Sequence, residues 1–256
     1  MNQAFEIAGV GLATEQKALD VIANNIANLN TPAFKRSELR YSEVVTQVRD
    51  VSNPAADLTT EPSLSGVRAQ TVLTLSEQGE LEHTGRALDV AVQGDGFIEL
   101  MGPHGQSLLW RGGTMHVQDD GTLAVGDGLL LRAMITIPPN TTELSIDPDG
   151  AVKSRIAGSD AFTELGRISL VRVDDPAALD RLDGGLYRVP EGETLSEVTP
   201  GEDGAGTLVQ GAVEHSNVQI TDEMVRLLVV QRAYAANAQI VQAADQMMAI
   251  ANGLRR

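Results

Sequence analysis

A seven-residue apolar repeat runs through both ends of this chain and through nothing in between. Near the N-terminus Phe5, Leu12, Leu19 and Ile26 form one line, and Ala8, Ile22 and Leu29 form a second beside it, with Glu15 as its interruption. Near the C-terminus Ile220, Met224, Leu227, Tyr234, Ala238, Val241 and Met248 follow one seam, with Gln231 and Asp245 as polar members. A neighbouring seam holds Val230, Ala233, Ile240, Ala244, Met247, Ala251 and Leu254. Side chains seven apart return to one face of a helix, so the pattern predicts helices over 5–29 and 221–251. Thr221 suits an N-cap, followed by Asp222 and Glu223 at the positive end of the dipole. Two adjacent seams make an apolar face broader than one partner helix covers, so packing between copies is expected.

Between the ends the period changes. From about Val67 to Val213 short β-type runs alternate with Gly and Asp turns: LDVAV, FIEL, SLLW, MHVQ-DDG-TLAV, LLLRAMITI, ELSI-DPDG-AV, RISLVRV, LYRV and TLVQGAV. Many short strands at close spacing imply an antiparallel sandwich or barrel. Stretches 48–66 and 190–206 are polar and bear Pro and Gly, which reads as linker. The expectation is an α+β chain. Residues 1–32 and 217–256 form a discontinuous, coiled-coil-like helical domain; 33–66 and 190–216 are extended arms; 67–189 is an inserted β domain.

Little in the chain suggests reaction chemistry. With no cysteine there is no disulfide, thiolate ligand or thiol nucleophile. The four histidines share no ligand spacing, DPDG at 147–150 lacks the later ligands of a calcium loop, and GDGF at 94–97 sits between β runs instead of opening a helix. No catalytic residue, cofactor site or metal site is therefore expected, and the chain reads as a non-enzyme; a β-domain enzyme or binding protein with a helical oligomerisation arm is the competing interpretation. A formal charge of −16 argues against nucleic acid or an anionic membrane as partner. The start, MNQAFEIAGV, lacks a basic region followed by a long apolar core, so a cleaved secretory signal is not expected. No apolar run approaches the roughly 20 residues that span a bilayer.

The stretch VIANNIANLNTPAFKR, 21–36, closely resembles the N-terminal signature of the bacterial flagellar rod, hook and hook-associated axial proteins. ALDVAVQGDGFIEL (87–100) is similar to the segment that enters their inserted β domain, and GAVEHSNVQITDEMVRLLVVQRAYAANAQIVQAADQMM (211–248) to their C-terminal helix. Within the family, the chain length, QRAYAANAQIVQAADQMM and ITIPPNTTELSIDPDGAV look like a rod subunit of the distal section, with a proximal-section subunit as the alternative. The segment from Tyr41 to Leu81 departs from that pattern and looks shorter. The resemblance implies a structural subunit exported by the flagellar type III apparatus, assembling with copies of itself into a periplasmic helical tube that transmits motor torque. It implies other rod proteins, hook protein and the P- and L-ring proteins as neighbours. By match, the assembly interface is expected at Phe5, Leu12, Leu19, Ile22, Ile26, Leu227, Tyr234, Ile240, Val241, Met247 and Met248. Asn24, Asn25, Asn28 and Asn30 join it as a polar, register-fixing patch. Asn28 to Pro32 are expected to end the first helix, because Asn tolerates left-handed geometry and Pro32 disfavours helix at Thr31.

Overall fold

The computed structural model describes residues 2–46 and 63–253, apart from 76, 160 and 191. The fold is α+β, with two long helices and antiparallel strands. It divides into two compact units, one made of 1–27, 37–72 and 219–256, the other of 28–36 and 73–218.

The first unit holds helix α1 (Asn2–Ala27), strands β1 (Ser37–Thr46) and β2 (Ser63–Leu73), which pair, and helix α2 (Ile220–Gly253). At about 1.5 Å per residue the 34 residues of α2 extend about 50 Å. The helices run antiparallel. A Cβ on Gly11 would lie 3.0 Å from Asn237 Nδ2, whereas Ala18, Ile22 and Asn25 line one cavity with Glu223, Arg226 and Val230. Gly11 therefore leaves room for the Asn237 side chain of α2 against α1.

The side of α1 that is buried differs from the expected principal line. Ala8, Ala18, Ile22 and Asn25 are buried and Gly11 and Glu15 half-buried, while Leu12, Leu19 and Ile26 are only half-buried beside them. The contact centres on small residues because they allow a closer helix approach than the larger leucines do. Phe5 lies in α1, but its side chain is outside those described.

The second unit is built on an antiparallel sheet. Its path runs through Asp180–Arg181, Leu186–Arg188, Ser107–Trp110, Phe97–Met101, Leu129–Leu131, Leu123–Val125, Gly112–Val117, Asp89–Gln93 and Thr207–Gln210. Leu170–Val173 pairs with Phe97–Met101 and with Leu195–Val198. Alternation along these strands gives two cores. Ile98, Leu100, Trp110 and Leu170 pack with Val90, Met115 and Leu208 on one face. Phe97, Leu109 and Val171 pack with Leu179 and Tyr187 on the other. Sequence runs such as SLLW lack polar alternation for that reason: both faces are covered.

Two stretches expected as arms carry strands. Part of 33–66 forms β1, and 190–216 contributes Leu195–Val198, Thr207–Gln210 and Ala212–Glu214. Ladder pairing uses backbone groups, so a half-exposed strand such as Leu195–Val198 needs few apolar side chains. Residues 47–62 of the expected linker lie outside those described. Phe162–Arg167, the edge of a separate three-stranded sheet, was likewise silent in the sequence because its side chains are mostly exposed. DPDG closes the hairpin between Thr141–Ile146 and Ala151–Ile156. Gly150 takes φ +87° there, and a Cβ would fall 2.1 Å from the Ile168 carbonyl oxygen.

Candidate assembly surfaces

The end of α1 is set by side chains that turn back on the chain. Asn25 is buried, accepts the Ser37 N–H at 3.0 Å and donates to the Ser37 carbonyl at 2.9 Å. Its amide thus copies a strand partner and docks the start of β1 on the helix that precedes it. After Ala27, Thr31 N–H donates to the Asn28 carbonyl at 3.1 Å and its hydroxyl to Asn28 Oδ1 at 3.1 Å. The left-handed residue at this turn is Ala33, with φ 55°, and not an asparagine. Ala33 is held there by its N–H, which donates to the Glu214 carbonyl at 2.7 Å. Asn24 and Asn30 are exposed.

In the second unit, Lys35 and Glu214 make a fully buried ion pair, Nζ to Oε1 2.6 Å. Lys35 also donates to the Glu77 carbonyl at 2.6 Å, and the Gly79 N–H donates to Glu214 Oε1 at 2.8 Å. Arg111 lies 3.6 Å from the other Glu214 oxygen. Burial draws the Lys35 pKa down, and the Glu214 carboxylate opposes that only in part. Nearby, Arg181 donates to the Lys35 carbonyl at 2.8 Å and stacks 3.5 Å above the Phe34 ring. Burial pushes the Tyr187 hydroxyl up to about 12. Asn217 takes the Arg36 N–H at 2.7 Å and donates to the carbonyls of Thr74 at 3.1 Å and Glu77 at 3.0 Å. Lys35, Glu214 and Asn217 were missed as structural residues, although PAFKR and GAVEHSNV contain them; a charged side chain in an otherwise apolar motif is the signal that could have found them.

The expected interface residues separate into two faces. Ile22 is buried against the helix pair, with Leu12, Leu19, Ile26, Leu227 and Val241 half-buried there. Glu15 lies on the same side; burial raises its pKa, and burial, then the Glu15 charge, raises that of Tyr41. Tyr234, Ile240, Met247 and Met248 are exposed, as are Val225, Leu228, Val229 and Ile250, which the seam reading left out. At about 100° per residue, Val225, Leu228, Val229, Ile240, Met247 and Ile250 line the side of α2 turned away from Leu227 and Val241. This helix is apolar on opposite faces. Among the described residues of the first unit, the buried apolar side chains are Ala8, Ala18 and Ile22; α2 supplies none.

Three stretches match family models. Residues 5–35 match that described as flagella basal body rod protein, 91–154 the flagellar hook protein FlgE/F/G D1 domain, and 209–254 the flagellar basal body rod FlgEFG protein C-terminal. The flagellar basal-body rod protein FlgG of Caulobacter vibrioides is 33% identical over 99% of both chains. The chain belongs to the flagellar basal-body rod protein family. FlgG of Borreliella burgdorferi is 32% identical over the full length of both, and the rod protein FlgF of Caulobacter vibrioides is 30% identical over 94% of this chain and 93% of its own. The two terminal matches of this rod-family chain include Lys35 at one end and Glu214 and Asn217 at the other. Their shared clamp gives those motif positions a physical role.

Proposed function

We propose that this chain is a structural subunit of the bacterial flagellar basal-body rod, in the distal section, which assembles with copies of itself into a helical tube and carries torque from motor to hook. The observation that carries this reading is α2. A 34-residue helix in which none of the described apolar side chains is buried, and which exposes apolar rows on the face away from α1, completes its core against other copies. In this reading residues 1–32 and 217–256 form the coiled-coil-like tube domain, and Leu12, Leu19, Ile22, Ile26, Leu227 and Val241 close the helix pair within a copy. Tyr234, Ile240, Met247 and Met248 face its neighbours. Asn25 acts inside the copy, and Asn24, Asn28 and Asn30 lie at the helix end, where neighbours meet it.

The partners proposed are other rod subunits, hook protein and the P- and L-ring proteins, in the periplasm. Delivery is through the flagellar type III apparatus. A cysteine-free chain suits threading and refolding without redox help. The relatives named FlgG, aligned end to end, support distal over proximal placement. The test is Leu228→Asp with Val229→Asp in a strain whose own copy is deleted. Loss of rods and of swimming, with the fluorescence of Trp110 in the β unit unchanged, supports the reading; normal rods reject it.

A further inference from the structure

Resting on that reading, the described charges of the first unit identify which part of the neighbouring copy covers the outward face of α2. Arg232 stands in the middle of that face, between Val229 and Ile240, and is exposed. It has no ion pair among the described residues of its own chain, whereas Arg226 is spent on Glu38 at 3.0 Å and Lys17 on the Ala69 carbonyl at 3.1 Å. Arg232 is therefore a free cation in the centre of an apolar row, and packing that row against anything without a carboxylate would desolvate the charge uncompensated.

Among the described helix residues, three exposed carboxylates without an ion pair are candidates. Asp222 lies in the first turn of α2, beside that helix's own unsatisfied N–H groups. Asp245 is seven residues beyond half-buried Ala238, on the side turned toward α1. Among the described residues of α1, Asp20 is the exposed carboxylate on the outward face, with Gly9, Ala13, Gln16, Ala23 and Ala27 around it, all exposed. That face is narrow where the α2 face is bulky. A second α2 would bring bulk against bulk and Arg232 near its own copy; α1 of another copy offers both room and the opposite charge.

We propose that Asp20 of one copy pairs with Arg232 of the next, with the outward face of α1 seated on the outward face of α2. In a tube whose copies all point the same way, α1 and α2 of two copies are antiparallel, as they are within one copy. Antiparallel alignment with Asp20 at Arg232 brings Ala23 to Val229 and Ala27 to Val225. Val225 and Val229, both exposed, then each meet an alanine. The ion pair sets the register, and the apolar contacts supply the adhesion.

The experiment is charge reversal in the full chain, in cells lacking their own copy. Asp20→Arg and Arg232→Asp are each expected to lower the yield of rods about tenfold, and the two together to restore it to within about twofold. In the cysteine-free chain, Ala23→Cys with Val229→Cys is expected to cross-link between copies on mild oxidation of isolated basal bodies, since the two positions face apart within one copy. Single reversals without effect, a double variant as poor as the singles, or no cross-link between copies overturns the pairing. The Leu228→Asp, Val229→Asp variant separates the two readings. If it still abolishes rods while the reversals fail to compensate, only the Asp20–Arg232 register is lost; if it assembles normally, the assembly face of α2 is lost with it.

Discussion

Lys35 Nζ lies 2.6 Å from Glu214 Oε1, with neither side chain exposed, although 179 residues separate the two in sequence. The pair joins the segment just after the first helix to the segment just before the second. Removing one partner leaves a charge buried, so Lys35→Met is expected to lower the stability of the β unit by about 3–5 kcal/mol. Lys35→Met with Glu214→Leu should recover most of that loss. Urea unfolding followed by the fluorescence of Trp110, the single tryptophan, measures both.

Asn25 predicts a selective loss. Asn25→Ala removes two hydrogen bonds and leaves the backbone groups of Ser37 buried without them, at about 2–3 kcal/mol. Asn25→Asp keeps the acceptor for the Ser37 N–H but loses the donor, and should be destabilised as well. Asn30→Ala, at an exposed position, should stay within about 0.5 kcal/mol of wild type. Thermal melting followed by helical circular dichroism ranks the three; equal melting of Asn25→Ala and Asn30→Ala would contradict the assignment.

Asp89 should make the β unit acid-sensitive. Burial by itself would raise its pKa, but hydrogen bonds from Thr84, Arg86 and Thr114 outweigh that and hold it below the usual carboxylate value. Arg86 Nε lies 2.7 Å and Thr114 Oγ1 2.8 Å from the carboxylate. A depressed folded pKa gives stability that is present above the ordinary carboxylate range, near about 4, and is lost as pH falls through the folded value. Asp89→Asn should therefore be less stable than wild type at pH 7, with the gap narrowing as pH drops toward about 3. Denaturation midpoints across that range decide it.

Glu15 has the opposite sign. Its folded pKa is raised by burial, so its contribution is favourable below the ordinary value and is lost as pH rises through the folded one. Glu15→Gln is expected to raise the melting temperature of the helical unit at pH 7 and to leave it unchanged near about pH 3. A melting temperature shifted equally at both pH values would show that packing, not charge, is responsible.

The existence of two long terminal helices around a strand-rich middle was legible because period alone carries it. A seven-residue repeat and a run of turn-separated β residues need no knowledge of neighbours. The motifs at both ends, with ALDVAVQGDGFIEL between them, carry the family in contiguous sequence. Less legible was the role of each polar residue in those motifs. Asn25 read as a contact between copies, yet its amide is occupied by Ser37 of its own chain, because the chain doubles back within twelve residues. Ala33, not an asparagine, takes the left-handed turn, since the Glu214 carbonyl holds its N–H.

By its sequence alone the chain determined that it is helical at both ends, rich in antiparallel strands between them, and a member of the flagellar axial proteins. Those properties are written in local periodicity and in contiguous motifs. Only the tertiary structure decided which side of each helix is covered, that Ser37–Thr46 and Leu195–Val198 are strands, and that Lys35, Glu214 and Asn217 share one clamp. Burial and pairing are properties of neighbours brought together from distant parts of the chain. A helix apolar on opposite faces announces in sequence that it has more than one apolar side, and the fold shows which of them is left exposed.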